Sequence, residues 1–196
     1  MRTRFVLPCL VMAAALGANG AEAQKKASPL TPAEKVARGK YLVRTSGCSD
    51  CHTPHKAGPA GPEADETRAY SGHPQDLTMP PAPQLPPGPW VFAGSGTFTA
   101  WSGPWGVSFT RNLTADKETG LGGWTEQNFV DTIRTGRRMG KGRPILPPMP
   151  IPAIQNYTDE DLRAIFAYLQ SLPPVKNAVP EPLPPATAVV APVVSK

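Results

Sequence analysis

Residues 48–52 read Cys48-Ser49-Asp50-Cys51-His52, and no other feature constrains the fold as much. Two thiols at C-x-x-C spacing with a histidine directly after them form the attachment signature of a c-type haem. The thiols can make thioether bonds to the two vinyl groups of one porphyrin. The tether then leaves His52 beneath the iron as proximal ligand. A cofactor bonded to the chain needs little pocket to retain it, and the rest of the chain must pack around it. The chemistry that follows is a ferric–ferrous cycle whose ease the protein tunes.

The same two cysteines admit other readings. A zinc site needs four ligands, usually as two separated pairs. The remaining cysteine is Cys9, so no second pair exists. His55 and His73 could complete a Cys2His2 set with Cys48 and Cys51, but their spacing fits no finger pattern. A thioredoxin-like pair would follow a strand in a βαβ unit and needs no histidine after it. The sequence carries no sign of such a unit.

The amino terminus predicts export. Met1-Arg2-Thr3-Arg4 is a basic start, Phe5 to Leu16 is mostly apolar, and Ala21-Glu22-Ala23 is a small-x-small cleavage site. Residues 1–23 are therefore expected to be a signal peptide, with the mature chain beginning near Gln24. The apolar run is too short to span a bilayer comfortably, and no later stretch is apolar enough to do so. A periplasmic location agrees with the motif, because c-type haem is attached outside the cytoplasm. Cys9 leaves with the leader, so no disulfide framework remains.

The net charge of +5 is mildly basic. It favours an acidic partner surface and does not argue for nucleic acid. The 26 prolines cluster at residues 80–89, 144–152 and 173–192 and predict long irregular segments. There is one haem motif and no internal repeat.

Helix signals organise the rest. Thr31-Pro32-Ala33-Glu34 reads as a capping box with proline at the first helical position. The helix is predicted to run to about Ser46 and stop at Gly47, packing through Val36, Gly39, Tyr41, Leu42 and Val43. Gly39 costs helix stability, which a close helix–helix approach would explain. Residues 53–110 form an irregular insert rich in proline and aromatics, with short strands possible around Val91–Phe109. So long a structureless segment is unusual in a compact domain. Its aromatics are expected to anchor it over the core or the haem. A second helix starts at Thr125, buries Phe129, Val130 and Ile133, and ends at Gly136. The last starts at Thr158 with acidic residues in its first turn. It presents Leu162, Ile165, Phe166 and Leu169 on one face and stops at Pro173. Residues 175–196 read as a Pro/Ala/Val-rich flexible tail.

The second axial ligand must be inferred. A thioether opposite His52 would stabilise ferrous iron and raise the potential. The candidates are Met79, Met139 and Met149. Met149 is preferred because prolines on both sides stiffen the loop that carries it between two helices. Met139 lies in a glycine-rich charged loop, and Met79 beside the proline-rich insert is the fallback. Met149 could instead fill a core gap. His55 or His73 could supply a second imidazole, but both are expected to be surface residues.

A capped helix, a haem motif, a methionine in a proline loop and a closing amphipathic helix together resemble class I cytochrome c. Asn112-Leu113-Thr114, residues 120–124, Arg134-Thr135-Gly136, Pro148-Met149-Pro150 and residues 159–172 narrow this further. They are similar to the cytochrome subunits and small soluble cytochromes associated with bacterial periplasmic dehydrogenases. The resemblance implies a mainly α, cytochrome c-like helical fold around one covalently bound haem c, over residues 24–174. It also implies Cys48 and Cys51 as thioether residues and His52 and Met149 as iron ligands. The first and last helices would cross near the haem, Gly39 meeting residues such as Phe166 and Leu169, and Trp124 or Arg111 would reach the haem propionates.

The expected function is one-electron transfer rather than catalysis. A periplasmic dehydrogenase would be the donor, and a cytochrome or terminal oxidase of a respiratory chain the acceptor. Arg134, Arg137, Arg138, Lys141 and Arg143 could form a positive docking rim. The alternative is a haem enzyme or gas-binding protein with a labile sixth ligand, for which the sequence offers no distal acid–base pair. A third possibility is a permanent subunit of a dehydrogenase complex, with the aromatic insert as interface.

Overall fold

The computed structural model describes residues 29–83 and 85–185. The expected signal peptide and the last part of the expected tail lie outside them. Helix α1 (Pro32–Thr45) opens as the sequence predicts. Thr31 caps it, and Glu34 reaches back to the Thr31 N–H at 2.8 Å. Gly47, at φ 67°, turns the chain in a left-handed conformation into α2 (Cys48–His52), the haem motif itself. That backbone shape favours glycine.

After α2 the insert builds two small sheets. Strands β1 (His55–Gly58) and β2 (Gly61–Ala64) form a hairpin. Strands β3 (Ala93–Gly94), β4 (Ala100–Gly103) and β5 (Gly106–Phe109) form an antiparallel sheet in that order, with Ala100 opposite Phe109. Backbone bonds tie the insert to the haem motif and to itself. Gly72 N–H donates to the His52 carbonyl at 2.8 Å, and His55 N–H to the Thr97 carbonyl at 3.0 Å.

The helical layer follows. Helix α3 (Glu126–Thr135) begins at a Thr125–Asn128 capping box and ends at Gly136. A short helix α4 (Ile151–Ile154) precedes α5 (Asp159–Gln170), which Thr158 caps. One core joins them: Leu42 and Val43 of α1, Phe129, Val130 and Ile133 of α3, and Leu162, Ile165, Phe166 and Leu169 of α5. The Phe129 and Phe166 rings lie 5.5 Å apart. Helices α1 and α5 touch at Gly39, where a Cβ would overlap the backbone of Ala164 and meet the Tyr168 Cβ. The close approach between these two helices is as expected, and Ala164 and Tyr168 supply the nearest atoms. Tyr41, placed on the packing face by the sequence, is 59% exposed. It lies beneath the Arg38 guanidinium instead.

Two expectations about irregular segments are corrected. The aromatics of the insert divide: Phe109 is buried, whereas Trp90 is 78%, Phe92 46% and Phe98 40% exposed. Residues 175–185, expected to be the start of a flexible tail, are packed. Asn177 is fully buried. Its side chain donates to the Ser71 and His73 carbonyls at 2.7 and 2.8 Å and accepts from the Gln75 N–H at 2.9 Å. Leu183 then exchanges two backbone bonds with Val107 and adds a bridge to the edge of β5. Residues 186–196 of that tail lie outside the described residues.

Candidate functional site

The haem motif stands at the junction of the helical layer and the insert. His52 is buried at 8% exposure, and its Nδ1 lies 2.8 Å from the Arg111 carbonyl oxygen. A carbonyl only accepts, so Nδ1 carries the proton and donates. The other nitrogen, Nε2, keeps its lone pair and makes no hydrogen bond to the described residues. A second partner that fixes tautomer and ring orientation is what a metal-ligating histidine requires. Burial lowers the His52 pKa, and the Arg111 bond opposes this only in part. The neutral, ligating form is therefore favoured.

Cys48 and Cys51 are free thiols, both half-buried. Burial pushes the Cys48 thiol up to about 11, and burial followed by Asp50 raises Cys51. Thioredoxin-like pairs depend on the opposite, a stabilised thiolate. Among the described residues no three His, Cys, Asp or Glu side chains converge as a metal site, so the zinc reading has no ligand set. Two unpaired thiols and an imidazole held by one nitrogen fit a haem attached through two thioethers.

The structure separates the other candidates. Met79 packs on a small apolar cluster of Ala100 of β4, Phe109 of β5 and Val179. Met139 sits after α3, its N–H donating to Thr132 Oγ1 at 2.9 Å. Met149 is half-buried and belongs to neither core cluster. Its loop is fixed from three directions. Ile145 N–H donates to the Gly136 carbonyl at 2.8 Å and Ile151 N–H to the Met149 carbonyl at 2.9 Å. Ser108 Oγ of β5 donates to the Pro147 carbonyl at 2.6 Å, and itself receives the Trp105 indole N–H at 3.2 Å. Strand β5 and its continuation thus touch both loops, Arg111 holding His52 and Ser108 holding the Met149 loop.

Neither remaining histidine is the free surface residue expected. His73 is fully buried, with Nδ1 3.0 Å from Thr99 Oγ1 and its ring 4.7 Å from Phe109. His55 is half-buried against Phe98 at 4.8 Å. Of the expected positive rim, Arg134 is spent internally. It donates to the Tyr157 carbonyl at 2.7 Å and pairs with Asp159 at 2.6 Å, tying α3 to the start of α5. Arg138 covers the Trp124 ring at 5.6 Å. Arg111 donates to the Val179 and Pro180 carbonyls at 3.2 and 3.0 Å.

Sequence reasoning missed the Arg111 carbonyl and Ser108. A backbone oxygen leaves no signature in the residue type, and Ser108 acts across a long gap in sequence.

The fold and the site define a protein built to carry a c-type haem. The chain belongs to the cytochrome c family, whose pattern matches residues 36–173, and family membership implies covalent attachment of haem c. It is an electron-carrier domain of that family. Over 77 residues it is 36% identical to one subunit of the nicotinate dehydrogenase of Pseudomonas putida, covering 39% of this chain and 6% of that protein. Over 149 residues it is 28% identical to the cytochrome c subunit of alcohol dehydrogenase (quinone) from Gluconobacter oxydans, covering 74% and 24%. The fructose dehydrogenase cytochrome subunit of Gluconobacter japonicus is 26% identical over 175 residues, covering 87% and 29%. The chain therefore spans less than a third of the length of these curated relatives. Among the described residues no helix is long and apolar enough to cross a membrane.

Proposed function

We propose that this chain is an exported carrier of one electron. Cys48 and Cys51 would hold a single haem c, and His52 and Met149 would donate to its iron. The observation that carries the reading is the pair of supports from one strand and its continuation, Arg111 carbonyl to His52 and Ser108 to Pro147. When bound, the group supplies an iron that accepts and releases one electron. The protein's part is to hold both donors still. With both donors held, His52 and Met149 would exclude small molecules from the iron and keep reorganisation small when the charge changes. His52 is held by a neutral carbonyl rather than a carboxylate, so it remains a neutral donor. A thioether at Met149 favours ferrous iron and a raised potential. The similarity to dehydrogenase cytochrome subunits supports a dehydrogenase as electron donor and a respiratory cytochrome or oxidase as acceptor. The basic leader and the single haem motif support export and one haem per chain.

The test is the optical spectrum of the mature protein, ferric and ferrous, with carbon monoxide added to the ferrous form. The expected result is a low-spin haem with a ferric sulfur-to-iron band and no response to carbon monoxide. M149A should abolish the band and open the iron to carbon monoxide, whereas M79A and M139A should do neither. A high-spin wild-type spectrum, or ready carbon monoxide binding, overturns the carrier reading in favour of a ligand-binding or catalytic haem protein.

A further inference from the structure

One carboxylate in the C-terminal segment meets both sides of the site. Glu181 Oε1 lies 3.2 Å from an Arg111 terminal nitrogen, and Oε2 lies 3.0 Å from Arg143 Nε. Arg111 is the residue whose carbonyl orients His52. Arg143 opens the loop that ends at Met149, and its own carbonyl accepts the Arg138 N–H at 3.0 Å. We propose that Glu181 is a positioning residue that keeps Met149 in place, by clamping the Met149 loop to the support of His52. The inference rests on the His52/Met149 reading above.

An ion pair at a surface usually contributes little, and Glu181 is itself 68% exposed. Three features set this one apart. Its two oxygens serve two different arginines, whose side chains are only 33% and 32% exposed. The segment that carries it is anchored on both sides of Glu181, by the Arg111 bonds to the Val179 and Pro180 carbonyls and by the Leu183–Val107 bridge. Most of the ordering cost is therefore met before the carboxylate engages. Finally, burial disfavours the charge on Arg111 most, Arg143 and Arg138 disfavour it further, and Glu181, the carboxylate that contacts both Arg111 and Arg143, offsets this in part. Without it, Arg143 is repelled from Arg111, and the Met149 loop moves with it.

The experiment uses the haem-loaded mature protein and reads carbon monoxide binding to the ferrous form, which reports how often Met149 leaves. In the wild type the rate should be low and should rise with salt, because salt screens the clamp. E181Q should raise the low-salt rate roughly five-fold and remove the salt dependence. R143Q should do the same, and the double variant should not add to either. E181D should restore part of the effect. L183A keeps the backbone bridge and removes no charge, so it should match the wild type. An E181Q rate and ferric sulfur-to-iron band equal to the wild type at low salt overturn the proposal, as does simple additivity with R143Q. If the E181Q chain fails to mature, the salt titration of the wild type decides, and a flat response overturns the proposal. A wild type that lacks the sulfur-to-iron band sinks the His52/Met149 reading itself, so the two failures are distinct.

Discussion

Gly39 shows how one missing methyl group sets the distance between two helices. Glycine inside a helix costs about 1 kcal/mol relative to alanine, so G39A should stabilise α1 taken alone. In the folded chain the new Cβ would overlap the Ala164 backbone, which cannot swing aside as a side chain can. Overpacking of this kind costs about 1–3 kcal/mol, and a backbone clash belongs at the top of that range. The second effect wins. G39A is expected to lower the stability of the haem-loaded protein by about 1–2 kcal/mol net in guanidinium denaturation. A neutral or stabilised G39A would show that α1 and α5 do not meet at this point. The same residue marks how far the sequence could be read. An unfavourable glycine on an apolar face announces a close contact, but not its partners. Those depend on the crossing angle, which periodicity does not contain. His52 shows the same limit, since its role is written in the motif while its hydrogen-bond acceptor is a backbone atom.

At the scale of elements, what was legible is what has a local cause. The capping boxes at Thr31 and Thr125, the acidic first turn after Thr158 and the glycine stops are short-range chemistry, and the three long helices stand where those signals put them. The strands of the insert and the packed segment 175–185 have mainly non-local causes. Asn177 is ordered by Ser71, His73 and Gln75, about a hundred residues earlier, and composition alone reads such a segment as a tail. One carboxylate also joins all three long helices. Glu126, at the start of α3, receives Lys35 of α1 at 2.6 Å and Arg163 of α5 at 2.8 Å. Burial alone would raise its pKa, but the two cations outweigh it and hold the carboxyl below its ordinary value of 4.5. A depressed pKa in the folded state means stability that is present above pH 4.5 and lost as the pH falls through the folded value. E126Q should therefore cost about 1 kcal/mol at neutral pH. It should also flatten the decline of stability with acid below the ordinary carboxyl range. The check is a series of denaturation midpoints from pH 7 downward. An unchanged slope would mean that the three-helix tie carries no free energy.

Across the whole molecule, charge is distributed unevenly around the site. No acidic residue occurs between Asp131 and Asp159, the stretch that carries Arg137, Arg138, Lys141 and the Met149 loop. No charged residue of either sign occurs between Asp76 and Arg111, the stretch that carries the exposed Trp90, Phe92 and Phe98. Two surfaces of different character thus adjoin the loops that hold the site, and electron exchange through either would respond differently to salt. If electrons pass at the basic surface, ferricyanide should oxidise the ferrous protein faster at low salt than at 0.5 M, roughly the range over which the Debye length shrinks below the size of the patch. A cationic cobalt complex should show the opposite trend. Charge reversal at Arg137 and Arg138 should slow ferricyanide and flatten its salt dependence, and should do the same for the physiological partner. These two residues suit the test because both are exposed and neither forms an ion pair among the described residues. Rates that ignore both salt and charge reversal would exclude the basic surface. Exchange would then fall to the uncharged aromatic stretch, where apolar contact rather than long-range attraction must hold a partner.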